Sequence, residues 1–321
     1  MKLKDLTALF SGLGKKKSQK GMTAIVFTDG GVALANISYD QKNSQPVLNC
    51  CEYIPSDNPF ADEKRIRDRI EALGLNGSRA VTVLSPGSYQ MMLVEAPEVP
   101  LDEVKEALRW RIKDLISFDI EETAIDFIEL PDDAYRGRSK MIYAVAAEKA
   151  QVDMLAGWIE IIGMELAVVD IPELAMLNLA QIKADSPAGM ALFSLGSPSS
   201  GINMLTEAGL YFTRALGYDA KRAESSPEDS ANVAVLEIQR SLDYYESQVG
   251  MPPCLKLLVS PLQPDDTPLM TTLRYNLPVE VEALDLNKLV VSSQELTPEL
   301  QKQAILAVAA ALRSDGAAEA H

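Results

Sequence analysis

The chain has 321 residues, 47% hydrophobic and 24% charged, with a formal net charge of −16. That length exceeds one ordinary core and calls for two domains or more, and the acidic balance argues against a nucleic-acid binder. A single histidine, His321, and three cysteines, Cys50, Cys51 and Cys254, exclude a Ser-His-Asp triad and the usual zinc spacings and suit a reducing, cytoplasmic compartment.

Residues 1–21 form a basic arm, with Leu3, Leu6, Leu9, Phe10 and Leu13 set among lysines before the tract KKKSQKG. It reads as a solvated terminus or as a weak peripheral contact with an anionic membrane face. No apolar run reaches the roughly 20 residues that span a bilayer, and the arm lacks the apolar region of a signal peptide. From Met22 the pattern is of strands: TAIVFTDGGVALANIS alternates around Asp29-Gly30-Gly31 and predicts a hairpin, and QPVLNCCEYIP a third strand. EKRIRDRIEALG predicts a helix ending at Gly74, and SRAVTVLSP a buried strand.

YQMMLVEAPEVP is extended, and Pro100 opens the predicted helix LDEVKEALRWRIKDLI, with Leu101, Val104, Leu108, Ile112 and Leu115 on one face. AIDFIELP predicts a strand, DDAYRGRSK a polar, mobile loop, and KMIYAVAAE another strand. The helix KAQVDMLAGWIEIIG, the strand ELAVVDI and the helix PELAMLNLAQI follow, with ADSPAG, residues 184–189, as a linker. AGMALFSLGSPSSGINMLTEAGLYFTRAL then repeats the first meander about 168 residues on, Gly31 to Ser199, a spacing suited to a duplicated domain rather than a solenoid. The polar KRAESSPEDS, the helix NVAVLEIQRSLDYYESQVG, the strand CLKLLVS, a Pro/Asp-rich loop, the segment PVEVEALDL and the helix PELQKQAILAVAAALR complete the chain before the tail at 314–321. Trp110 and Trp158 read as packing residues on helices. The acid pairs Asp102-Glu103, Glu121-Glu122, Asp132-Asp133 and Asp265-Asp266 read as solvated or capping groups.

Two meanders, each followed by helices and strands, resemble the duplicated actin/Hsp70-like (ribonuclease H-like) ATPase fold, an α/β class. The stretches VEAPEVPLDEVKEALRWRIKDLISFDIEETAIDFIELP, VVDIPELAMLNLA, LEIQRSLDYYESQ and AILAVAAALR, in that order, resemble the PilM-like branch of type IV pilus assembly proteins. The resemblance implies a first half at 22–89 and 141–184, an inserted α+β subdomain at 90–140, and a second half at 185–313.

It also implies an ATP and Mg²⁺ site in which strand-end acids hold the metal and turn amides hold the phosphates. In this sequence Val26 stands where the first acid belongs, Thr28 where its glycine belongs, and Asp29 falls two residues late. Ser194 replaces the second acid, and Pro261 and Leu262 in LVSPLQPDD replace the glycines that admit the base. The expectation is a pseudo-ATPase without a cofactor or metal. Gly30, Gly31, Gly196, Ser197, Ser199 and Ser200 are the residues that would cradle an anion if any binding survives.

The function implied is that of a cytoplasmic scaffold, peripheral to the inner membrane. It would bind the N-terminal cytoplasmic peptide of a PilN-like (MshJ-like) bitopic membrane protein in a groove between insert and first half. The groove candidates are Leu108, Ile112, Leu115 and Phe118, for each of which core packing of the insert is the competing reading. The alternatives are a nucleotide-binding switch of the same platform and the cytoplasmic domain of an L-type type II secretion protein. The latter would continue into a membrane helix, whereas this sequence runs out at AAEAH.

Overall fold

In the computed structural model both predicted meanders are present and each opens a sheet. The structure describes residues 21–40, 45–137, 139–182, 189–196 and 200–313. The arm at 1–20, the tail at 314–321 and nearly all of the predicted linker lie outside the described residues.

In the first meander β1 (Met22–Thr28), β2 (Gly31–Tyr39) and β3 (Pro46–Pro55) run antiparallel. Helix α1 (Glu63–Leu73) closes on Gly74, whose φ of 73° is the left-handed conformation that glycine tolerates best. It returns the chain to β4 (Arg79–Val83), parallel to β1. After the excursion described below, α3 (Lys149–Ile161) and β8 (Glu165–Asp170) complete this half, and α4 (Pro172–Gln181) leads into the second. There β9 (Met190–Ser194), β10 (Ser200–Thr206) and β11 (Gly209–Leu216) form the second meander, followed by α5 (Ala220–Ala223), α6 (Pro227–Tyr244), β12 (Lys256–Ser260), α7 (Pro268–Asn276) and β13 (Glu280–Ala283).

The duplication shows in the strand orders. The first sheet runs β3-β2-β1-β4-β8 and the second β11-β10-β9-β12-β13, with corresponding strands in corresponding places. One further strand, β14 (Val291–Ser292), adds to the first sheet beside β3, and α8 (Pro298–Ala311) follows it. Helix α8 is buried along most of its length, in one apolar cluster with Ala24, Val26, Ala33 and Ala35 of the first sheet. The Tyr39 hydroxyl donates to the Leu312 carbonyl. The C-terminal segment thus belongs by packing to the first half, although the sequence reading had placed everything from 185 to 313 in the second.

The excursion is a three-stranded sheet, β5 (Tyr89–Glu95), β6 (Thr123–Glu129) and β7 (Met141–Glu148), in the order β5-β7-β6, with α2 (Val104–Ile112) on one face. Because β7 is its central strand, the insert extends past the expected boundary at 140 to Glu148. The sequence identified the strand KMIYAVAAE but not its partners. Helix α2 is also shorter than predicted: Leu101–Glu103 form a 3₁₀ turn, and the α-helix stops at Ile112.

Three other expectations change. Helix α6 begins at Pro227, inside the segment read as polar loop, because proline at its first position and Glu228 and Asp229 in its first turn suit a helix start. Helix α7 was hidden in the Pro/Asp-rich reading, although Thr267 caps it by accepting from the Met270 amide. Trp158 is 4% exposed and packs at 4.8 Å against Phe27, whereas Trp110 is 72% exposed and is not a packing residue. Among the described residues no helix is long and apolar enough to cross a membrane.

Candidate functional site

The strand-end turns hold the residues that the resemblance assigns to a nucleotide. Val26 sits opposite Ala33 in the middle of the β1–β2 pair and is 3% exposed in the apolar cluster under α8. At the end of β1 the Thr28 hydroxyl donates to the Gly31 carbonyl at 3.1 Å and also hydrogen-bonds the Tyr53 hydroxyl at 3.1 Å. A Cβ on Gly30 would stand 3.0 Å from that tyrosine oxygen, and one on Gly31 would stand 2.2 Å from the Ile54 carbonyl. Gly31 is therefore required by the close approach of β3. Asp29 is exposed on the turn.

The second turn is likewise spent internally. Ser194 is half-buried, registered between Gly201 and Ser260. The Gly196 amide donates to Ser200 Oγ at 3.0 Å, and the Gly196 carbonyl accepts from Ala220 at 2.9 Å. Ser200 is 3% exposed, while Ser197 and Ser199 lie outside the described residues. On the third loop Pro261 is buried, and Gln263 Nε2 donates back to the Pro261 carbonyl at 3.1 Å. These residues do not fit a magnesium nucleotide: where the resemblance implies carboxylates there stand an apolar core side chain and a serine, and the Gly196 amide that it implies would face a phosphate is already bonded within the chain. Among the described residues no group of three His, Cys, Asp or Glu could hold a metal ion.

The predicted groove residues are not brought together. Leu108 and Ile112 are fully buried with Val94, Val104 and Ile142, where α2 covers the insert sheet. Leu115 lies past the end of α2 at 58% exposure, and Phe118 is half-buried. A helix's apolar stripe seals its own sheet before it serves a partner, and Leu108 and Ile112 belong to that stripe.

A different cleft separates the insert from the first half. It encloses about 280 Å³ and is lined by residues 124–128 of β6, Val145 and Ala147 of β7, Val152 of α3, residues 168–171 at the end of β8, Leu174 of α4, Leu84 and Arg313. Its walls are apolar apart from Asp126, Asp170 and Arg313. Asp170, its side chain 1% exposed, accepts from Arg313 Nη1 at 2.9 Å and from the Ile171 amide at 2.9 Å. Nearby, the Tyr89 hydroxyl donates to Glu173 Oε2 at 2.6 Å, and burial holds the Glu173 carboxyl above its ordinary range. The expected groove lay in this place, between insert and first half, but sequence reasoning missed its lining residues because the walls come from distant segments. The local trace was the pair Ile125 and Phe127 in AIDFIE, apolar at period two yet only half-buried.

The wall carrying β6 is fastened to the second half. The Tyr211 hydroxyl donates to Asp133 Oδ1 at 2.6 Å, the Thr213 amide to the Tyr143 hydroxyl at 3.1 Å, and the Tyr135 amide to the Val249 carbonyl at 2.9 Å. Tyr135 is 2% exposed, so the described part of the loop read as mobile is docked. Asp133 is thus a buttress rather than the solvated or capping group expected, whereas Asp265, its side chain 80% exposed, pairs with Arg274 at 2.6 Å at the surface.

Two sheets of matching strand order, an insert in the first and a C-terminal helix returning to it define a duplicated actin-like fold. Solved structures agree. The chain is similar to a protein in the PilM-PilN type IV pilus biogenesis complex, with a TM-score of 0.72 and 19% identity over 91% of this chain and 98% of that one. It is also similar to a Bacteroides thetaiotaomicron protein with actin-like ATPase fold and unknown function, with a TM-score of 0.53 and 12% identity over 92% and 98%. No family model and no curated protein sequence matches the chain.

Proposed function

We propose that this protein is a cytoplasmic scaffold of a type IV pilus inner-membrane platform, of the MSHA type. Its cleft takes the cytoplasmic N-terminal segment of a PilN-like, here MshJ-like, membrane protein. The observation that carries the reading is the apolar cleft between insert and first half, which offers anchoring walls and two charged groups already paired with each other. The likeness to the PilM-PilN complex supports that choice of partner. The nucleotide turns are degenerate, so the protein works as a pseudo-ATPase and its output is binding.

Calorimetric titration of a synthetic peptide carrying that N-terminal segment tests the reading. Binding is expected to the parent and to be lost in Val152→Arg, which fills the cleft from a half-buried position on α3. A peptide that fails to bind the parent, or that binds the variant equally, overturns it. Millimolar Mg-ATP is expected to leave the melting temperature unchanged, whereas a ligand at about 100 times its Kd would add about 2.7 kcal/mol.

A further inference from the structure

The cleft is bounded by two unpaired sheet edges. Among the described residues β6 of the three-stranded sheet pairs only with β7, and β8 of the six-stranded sheet pairs only with β4. Ile125 and Phe127 pack toward α2 while Ile128 packs on the opposite face toward the second half, yet all three line the cleft. Side chains of a strand alternate between faces, so a cavity touching both sets meets the strand along its edge. The same holds for β8, where Val168 and Val169 pack into different clusters and both line the cleft. On β6 the Phe127 amide donates to Asp126 Oδ1, and just past the end of β8 the Ile171 amide donates to Asp170 Oδ1, both at 2.9 Å, so each amide is closed off by the aspartate before it.

The two edges differ in how firmly they are closed. Both aspartates are ion-paired at 2.9 Å, but the Asp170–Arg313 pair is buried, its side chains 1% and 13% exposed, whereas the Asp126–Lys105 pair lies at the surface with side chains 62% and 52% exposed. Water can replace the Asp126 contact at little cost, which frees the Phe127 amide for a ladder hydrogen bond.

Resting on the peptide-binding reading above, we propose that the cleft takes its peptide as an added β-strand along the outer edge of β6. Main-chain hydrogen bonds then supply the affinity, and alternate side chains of the peptide fall into the apolar walls on either face of the insert sheet. A helical occupant would leave the edge groups of β6 buried without partners.

The test uses the full chain and the synthetic N-terminal peptide in three forms: unmodified, N-methylated at odd residues, and N-methylated at even residues. Only alternate amides of an added strand face β6. One N-methylated series should therefore bind about tenfold or more weakly, and the other within about threefold of the unmodified peptide. In the unmodified complex the amide of Phe127 should exchange more slowly. Equal effects of the two series, with the unmodified peptide binding, overturn strand addition and leave the scaffold reading intact. An unmodified peptide that does not bind overturns both.

Discussion

Replacing Arg313 by Gln removes the partner of a carboxylate whose side chain is 1% exposed at the floor of the cleft. Breaking a buried pair from one side costs about 3–5 kcal/mol, because the remaining charge is stranded. Here the lower end applies: the Arg313 side chain is 13% exposed, so water can enter, and the Ile171 amide still donates to Asp170. A loss of about 3 kcal/mol corresponds to a urea midpoint about 1 M lower if m is about 3 kcal/mol/M. The pair joins the end of α8 to the end of β8, so the loss should register in the transition of the first half. Adding Asp170→Asn to Arg313→Gln removes the stranded charge and should recover most of the loss. A single substitution costing under about 1 kcal/mol, or a double variant no better than the single, would refute the reasoning.

Leu108→Ala should cost about 2–5 kcal/mol by opening a cavity under α2, while Leu115→Ala, at 58% exposure, should change urea stability by no more than about 0.5 kcal/mol. Equal effects would place both residues in one environment. Burial raises the folded-state value of Glu173, so its contribution to stability is full below the unfolded carboxyl range and is lost as pH rises through the folded value. Glu173→Gln keeps an acceptor for Tyr89 and should therefore gain stability relative to the parent as pH rises above the unfolded carboxyl value of about 4.3; a relative loss with rising pH in paired urea titrations would contradict this. Burial also pushes Cys50 up to about 11 and Cys51 up to about 12. Iodoacetamide at pH 8 should consequently label them about two orders of magnitude more slowly in the folded chain than in urea, and comparable rates would show the thiols to be accessible and ordinary.

Local order in the chain set the elements. Period-two alternation around Asp29-Gly30-Gly31 and its return near residue 196 revealed both hairpins, and Gly74 ended α1. Periodicity names the apolar side of an element without saying what will cover it. Leu108 and Ile112 therefore read as groove or as core, and the packing of α2 on β5-β7-β6 decided for core. The same ambiguity hid the transfer of β7 to the insert and of β14 and α8 to the first sheet, since strand pairing is a choice among partners far apart in sequence. The cleft is the extreme case. Leu84, Ile125, Val145, Val168 and Arg313 share no local pattern, and they meet only because the fold brings β6, an edge strand of the insert sheet, and β8, an edge strand of the six-stranded sheet, to one cleft.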